Sequence, residues 1–461
     1  MNDANDKPTT RKKSISNGVN NIVSRFAPSP TGLLHAGNYR TAVFAYLFAK
    51  HSDGLFVLRI EDTDAARSKP EYEANIMEAL SWLELPADKV YRQSEHRARH
   101  RELLEKLVAN DTAYISKETP KNPGDREEVI RFRNPGGTLT FSDIIHGDIT
   151  TKVDDLGDFI IARSFDEPVF HFAVVVDDAD EKVTHVIRGG DHISNTARQM
   201  LIQNALGFPT PIYAHLPLIF DNNHKKLSKR SGAKALTEYR GLGIMPEALL
   251  NYLAFLGWNP GDDREYLSRD ELVKAFDLSR VQKGSAIFDE VKLFSVNQHW
   301  MRKLTADDFI SRGNLYAKDS VKLRKVVPLL QERTHTFNEA QEMLSGELSC
   351  LFEEPALERS QITIKEPEGC PNMTKSALES LLEPIKALGE GLSINDVKEA
   401  IMPLADAEET KGKGRRGAIL WPLRYALSGQ ERSPDPFTLI SILGKEETIS
   451  RIRKAVAIIE E

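Results

Sequence analysis

At 461 residues, with 40% hydrophobic and 28% charged side chains, the chain is too long for a single core and too apolar for intrinsic disorder, so two or more folded domains are expected. Its two cysteines, Cys350 and Cys370, have no Cys or His partners at zinc-ligand spacing, which argues against zinc and for a reducing, cytoplasmic setting. No apolar run approaches the roughly 18 residues of a membrane span, and a net charge of −7 neither supports nor excludes RNA binding, which depends on local basic patches.

Residues 1–20, with Lys7, Arg11, Lys12 and Lys13 among polar side chains, lack the apolar centre of a secretory signal and read as a disordered extension. Residues 21–26, carrying Ile22, Val23 and Phe26, read as a strand running into the tight loop Pro28-Ser29-Pro30-Thr31-Gly32. From Tyr39, the apolar positions Tyr39, Ala42, Val43, Tyr46 and Leu47 mark one buried helical face, and residues 55–60 read as a second strand. Strand, helix and strand in so short a stretch form the unit of a parallel sheet, so a ligand site is expected around residues 25–38, where a strand end meets a helix N-terminus. Helices are predicted next over residues 71–83 and 97–108.

Residues 111–183 change character. Short β-like runs are broken by Asn134-Pro135-Gly136-Gly137, His146-Gly147-Asp148 and Asp166-Glu167-Pro168, which predicts an insertion between two halves of the sheet. Within it, residues 168–172 read as a strand with Phe170 and Phe172 on one face and His171 on the other. The sheet resumes with a strand over 183–188, a helix carrying Ile193, Ala197, Met200, Leu201 and Ala205, and a strand over 216–220. After Pro246 a helix with Leu249, Leu253 and Leu256 stops at Gly257; from residue 305 onward, leucines at helical spacing without a long β-run predict an all-α region.

Two clusters carry chemistry. His35-Ala36-Gly37-Asn38 stands at a strand-to-helix junction, where free N–H donors and an imidazole suit phosphate oxygens as charge moves toward a leaving group; taken alone, such a histidine is more often structural or merely exposed. Lys225-Lys226-Leu227-Ser228-Lys229-Arg230-Ser231-Gly232 follows a strand and gathers cations in a Gly-ended loop able to clamp a triphosphate. A solvated basic turn is the bland alternative.

His35-Ala36-Gly37-Asn38 and Lys226-Leu227-Ser228-Lys229-Arg230 resemble, in the same order, the HIGH and KMSKS signatures of class I aminoacyl-tRNA synthetases. Arg25-Phe26-Ala27-Pro28-Ser29-Pro30-Thr31-Gly32, Arg59-Ile60-Glu61-Asp62-Thr63-Asp64, Tyr91-Arg92-Gln93-Ser94-Glu95 and Val186-Ile187-Arg188-Gly189 look like the glutamyl branch of that class. The likeness continues through residues 246–253 and 421–429, so it covers nearly everything after residue 20 and disfavours a short relative without an anticodon domain. It implies an α/β Rossmann-type catalytic domain in two halves (21–110 and 184–235), an inserted α+β acceptor-stem-binding domain (111–183), a stem-contact segment (236–304) and an all-α anticodon-binding domain (305–461).

Carried over position by position, the resemblance implies that Arg25 meets the side-chain carboxylate of glutamate, Ser29 and Glu61 its α-amino group and Arg188 its α-carboxylate, with Phe170 beside the amino acid. His35, Gly37, Lys226, Ser228 and Lys229 would hold ATP, and His35, Lys226 and Lys229 would stabilise charge at the α-phosphate. A guanidinium fork suits a carboxylate and disfavours glutamine; the bland alternatives are surface arginines and a solvated acidic turn at Glu61 and Asp62. No protein nucleophile and no metal-ligand motif is implied, and Mg²⁺ is inferred only from ATP. For tRNA, Lys411, Lys413, Arg415 and Arg416, with Trp421 and Arg424, offer phosphate contacts and an aromatic surface for a base, or else a solvated basic loop. A monomer without membrane association is the family default.

Some positions depart from the family pattern: Phe170 stands where a tyrosine is usual, Gly190 where a glutamate is usual, and the stretch from Tyr114 to Arg131 is short. Two other readings remain open, a non-catalytic tRNA-binding relative with a decayed pocket and a nucleotidyltransferase of the same superfamily. The intact loop from Lys226 to Arg230 speaks against the first, and the long helical C-terminal region against the second.

Overall fold

The computed structural model describes residues 22–119, 127–227, 234–363, 372–389, 391–409 and 416–460; the expected N-terminal extension lies outside them. The described residues fall into two compact units, one reaching Gly241 and including Pro246–Val296, the other formed by Leu242–Met245 and the chain from Asn297.

The first unit opens with β1 (Val23–Phe26), α1 (Ala36–His51), β2 (Leu55–Ile60), α2 (Pro70–Trp82), β3 (Lys89–Arg92) and α3 (Arg97–Ala109). The segment that follows supplies β4 (Ala113–Lys117), β5 (Glu128–Phe132), the hairpin β6 (Thr138–Asp143) and β7 (Gly147–Lys152), then β8 (Phe159–Ser164), β9 (Glu167–Pro168) and α4 (Phe170–Asp180). Next come β10 (His185–Gly189), α5 (Ile193–Leu206), β11 (Ile212–Leu216), β12 (Ile219–Phe220), α6 (Leu236–Gly241), α7 (Pro246–Ala254), α8 (Arg269–Ala275), β13 (Ala286–Ile287) and α9 (Glu290–Met301).

Seven strands form the main sheet in the order β3-β2-β1-β10-β11-β6-β7. All neighbours are parallel except the β6–β7 hairpin. From β1 the chain moves outward to β2 on one side, and from β10 it moves outward to β11 on the other, so the β1/β10 boundary is the switch point at which such sheets open a crevice. Within the segment expected as an insertion, β4, β5, β8 and β9 make a separate four-stranded sheet, whereas the β6–β7 hairpin extends the main sheet beside β11. Helix α1 packs against β1, β2 and β10 and also against α7 and α8, which is why Tyr39, Ala42, Val43, Phe44, Ala45 and Leu47 are all fully buried.

Two strand expectations fail. Residues 168–172 do not form one: β9 ends at Pro168, Val169 caps α4, and Phe170 opens a helix in which Phe172 to Asp178 are all buried. A helix buried on every side gives the same unbroken apolar run as a strand, so periodicity could not separate them. Residues 216–220 are likewise not continuous: β11 ends at Leu216, Pro217 has no N–H to offer the ladder, and β12 pairs instead with β13.

The second unit is built from helices running from Ala306–Gly313 to Lys445–Glu460, with no strand among its described residues. Thr305, Asp319, Thr336 and Asp435 each accept hydrogen bonds from the first-turn backbone of the helix that follows, fixing four helix starts. Leu423, Leu427, Ile440 and Ile452 are fully buried at its centre. No described helix in the chain is long and apolar enough to cross a membrane.

Candidate active site

A cavity of about 730 Å³ opens at the carboxyl ends of β1 and β10, lined among others by Arg25, Ser29, His35, Gly37, Glu61, Phe170, Arg188 and Lys226. It therefore collects every expected amino-acid residue, together with those expected ATP residues that are described. Ser228 and Lys229 lie outside the described residues.

Around Arg25 and Glu61 stands a cluster of buried charges. Arg25, only 3% exposed, donates from Nε and Nη2 to the two oxygens of Asp178 at 3.0 and 3.4 Å. Arg59, completely buried, donates to the same carboxylate at 2.7 Å and to Glu181 at 2.9 Å. Burial pushes the Asp178 carboxyl up, but Arg25 and Arg59 more than offset it, so its pKa falls below the usual range. Glu61 sits 3.6 Å from the Arg59 guanidinium with Oε1 buried and without a hydrogen-bond partner. Burial drives its carboxyl up to about 7 against the pull of Arg59 and Arg25. A buried carboxylate with an oxygen that accepts no hydrogen bond, facing a cavity, is a natural partner for an ammonium group.

Sequence reasoning missed Asp178 and Glu181, and gave no role to Arg59, which it met only within a motif. The one local signal was Asp177-Asp178 directly after Val174-Val175-Val176, since acids in an apolar run must be paired when buried.

Arg188, 7% exposed, is held differently. Its Nε donates to His215 Nε2 at 3.1 Å and its Nη2 to Thr196 Oγ1 at 2.8 Å, with the ring of Tyr213 5.5 Å from Cζ. Burial lowers its pKa to about 10, so the guanidinium stays charged at neutral pH. Phe170 and Val174, one helical turn apart on α4, give the cavity an apolar wall; the Phe170 ring stands 5.6 Å from both His171 and His192.

His35 is the N-cap of α1. Its Nδ1 accepts from Gly37 N at 3.1 Å, and Asn38 Oδ1 accepts from His35 N at 3.1 Å. The cap uses Nδ1 as an acceptor, so a neutral ring carries its proton on Nε2, a donor fit for an anion. The Asn38 side chain thus serves the backbone of its own cap. A bridge between His35 and Ala235 ties the cap to the chain beyond the Lys-Ser-Lys segment, and Lys226 Nζ lies 3.0 Å from Asp191 Oδ2.

Of the expected tRNA residues, Lys411, Lys413 and Arg415 lie outside the described residues. Arg416 pairs with Asp406 at 2.8 Å. Arg424 places Cζ 4.7 Å over the Trp421 ring and donates to Glu431 O at 2.7 Å, while Trp421 Nε1 donates to Gln361 O at 3.2 Å. One face of the Trp421 ring is thus already covered by a cation.

Family profiles follow the same division of the chain. The profile of the catalytic domain of class I tRNA synthetases (E and Q) matches residues 21–122 and 117–295, and that of an anticodon binding domain matches 296–456; with the parallel sheet and its crevice, they define a class I synthetase. A glutamate–tRNA ligase of Aquifex aeolicus is 37% identical over 95% of this chain and 99% of its own, and one of Heliobacterium modesticaldum is 35% identical over 95% and 97%. A crystal structure of a glutamate tRNA ligase from Elizabethkingia meningosepticum in complex with its amino acid superposes with a TM-score of 0.82 at 32% identity, covering 95% of this chain and 99% of that one. The chain belongs to the glutamate–tRNA ligase family of class I aminoacyl-tRNA synthetases.

Proposed function

We propose that the protein activates L-glutamate with ATP to glutamyl-adenylate and pyrophosphate, then transfers the glutamyl group to the 3′-terminal adenosine of tRNA(Glu). One observation carries the reading: a single cavity at the β1/β10 switch point holds two buried arginines, a buried carboxylate with one oxygen that accepts no hydrogen bond and a histidine-capped helix N-terminus with a lysine.

In this reading Arg25 and Arg188 receive the two carboxylates, and Glu61 with Ser29 receives the α-ammonium. Two of the five Arg25 N–H donors go to Asp178, so the edge built on Nη1 is the one that meets the substrate side chain. The α-carboxylate attacks the α-phosphorus of ATP and pyrophosphate departs, with His35, Lys226 and Lys229 stabilising the charge that develops. A terminal ribose hydroxyl of tRNA then attacks the acyl carbonyl, and AMP leaves. Among the described residues no group of three or more His, Cys, Asp or Glu side chains could hold a metal ion; Mg²⁺ would arrive on the phosphates of ATP, as it commonly does.

The segment at 111–183 and the residues at 236–304 would meet the acceptor stem, and the helical region from 305 the anticodon, in a monomer working in the cytoplasm. Aminoacylation with labelled glutamate and each purified tRNA tests this. Charging of tRNA(Glu) is expected, and the tRNA(Gln) arm reads whether the enzyme also accepts that partner. Binding of tRNA(Glu) without formation of glutamyl-tRNA would leave only a tRNA-binding protein.

A further inference from the structure

Arg25 and Arg188 face the same cavity but are anchored in opposite ways. Arg25 leans directly on the Asp178 carboxylate. Arg188 leans on the His215 ring and the Thr196 hydroxyl, and the Asp143 carboxylate stands behind that imidazole. The arrangement crosses three neighbouring strands: Arg188 of β10 is in register with His215 of β11, and Tyr213 of β11 with Asp143 at the end of β6.

The hydrogen-bond polarity of this chain is fixed from its far end. Asp143 Oδ1 accepts from the backbone N–H groups of Ile145 and His146, both at 2.9 Å. Its Oδ2 accepts from His215 N at 3.0 Å and stands 2.7 Å from His215 Nδ1. An ionised carboxylate has only acceptors, so Nδ1 carries the ring proton and Nε2 must be an acceptor. There it meets Arg188 Nε at 3.1 Å and Thr196 Oγ1 at 3.1 Å. Burial lowers the His215 pKa and Asp143 only partly opposes it, in keeping with a neutral ring. Both His215 and its Asp143 contact are sealed from solvent, and the Tyr213 ring stacks parallel to the imidazole at 5.9 Å.

We propose that Asp143 and His215 are positioning residues for glutamate: Asp143 sets the tautomer of His215, and His215 then turns the Arg188 guanidinium so that its Nη1 edge meets the substrate α-carboxylate. The device orients Arg188 without neutralising it. A carboxylate in direct contact would compete with the substrate for the guanidinium, whereas a neutral acceptor fixes the Nε side and leaves the charge to be used. Asp143 comes from the hairpin that the inserted segment adds to the main sheet, so that segment would reach into amino-acid recognition. This proposal rests on Arg188 as the α-carboxylate reader.

Asp143→Asn tests the tautomer step. An amide that keeps its oxygen on the Ile145 and His146 N–H groups turns an N–H toward His215 Nδ1, the ring proton moves to Nε2, and two donors then face each other at Arg188. With tRNA present, the KM for glutamate should rise roughly ten- to a hundredfold, the loss expected for a hydrogen bond to a charged group, while the KM for ATP changes little. Spectra of ¹⁵N-labelled histidine should show the proton moving from Nδ1 to Nε2. His215→Gln keeps an acceptor near the position of Nε2 and should recover most of the affinity, and in the Asp143→Asn/His215→Gln double variant the penalty of Asp143→Asn should largely vanish. If Asp143→Asn leaves the glutamate KM unchanged while Arg188→Lys raises it, the positioning role is overturned and the reading of Arg188 stands. If Arg188→Lys also leaves it unchanged, the underlying assignment fails. An equal penalty with or without His215, or a loss of folding in every variant by thermal melting, would reduce Asp143 to a structural residue and overturn the proposal.

Discussion

With Glu61 receiving the α-ammonium as proposed, glutamate binding should depend on pH in a definite direction. Burial pushes its carboxyl up to about 7, and an ammonium binds the ionised form, so substrate binding must expel the proton wherever one is held. The KM for glutamate should therefore be flat above neutrality and rise as pH falls through about 7, approaching tenfold per unit on the acid side. Measuring KM between about pH 6 and pH 8 checks it, and a flat profile would remove Glu61 from contact with the α-amino group. Phe170→Tyr should lower the glutamate KM severalfold, since roughly 1 kcal/mol is expected when a hydroxyl reaches a polar partner. Phe170 lines the cavity and is only partly buried, so the added oxygen is not sealed in the core and thermal stability should hold; a destabilised variant with unchanged KM would mean that the ring points elsewhere. The expected residues that line the cavity were legible because each sits in a short local motif. Their partners were not, because Asp178 lies 153 residues from Arg25 and Asp143 lies 72 from His215, and nothing local in a sequence marks a pairing at that distance.

Helix α1 starts a full turn before its apolar stripe, at the box formed by His35 and Asn38. Histidine is not among the usual capping residues, so the stripe could date the buried face but not the first turn. The cap also explains Gly37: a Cβ there would lie 2.9 Å from both Cε1 and Nδ1 of the His35 ring. Gly37→Ala should push the imidazole off its cap, costing about 1 kcal/mol of stability, as loss of an N-cap does. It should also slow adenylate formation, because the displaced ring no longer presents Nε2 at the helix end. Pyrophosphate exchange with tRNA present, together with a thermal melt, reads both; a variant with wild-type exchange would show that the ring position is not critical. Helix α4 marks the limit of reading from pattern, since Phe172 to Asp178 are buried on all sides and leave no polar face to reveal a period of 3.6.

At the scale of the whole chain, the division into a sheet-bearing unit and a helical one was legible, because strand-like runs give way to leucines at helical spacing. The strand order was harder to read, and the placement of the β6–β7 hairpin in the main sheet could not be read at all, since it depends on which edge β11 leaves open. That order separates near pairings from distant ones. β1 finds β2 within the first helix-strand turn, but its other neighbour begins only where Val23 meets Thr184, 161 residues later. Long-range pairings close late, so pulsed hydrogen exchange during refolding should protect the amides of β1 and β2 at their shared edge before those between β1 and β10; simultaneous protection would show a sheet that forms as one piece. The same separation has a price in time during synthesis. At the usual pace of translation, β1 emerges on the order of ten to thirty seconds before the strand that completes it, with one row of backbone donors and acceptors uncovered throughout. For that interval the nascent chain carries half of the sheet, with an open edge on which any stray strand could pair.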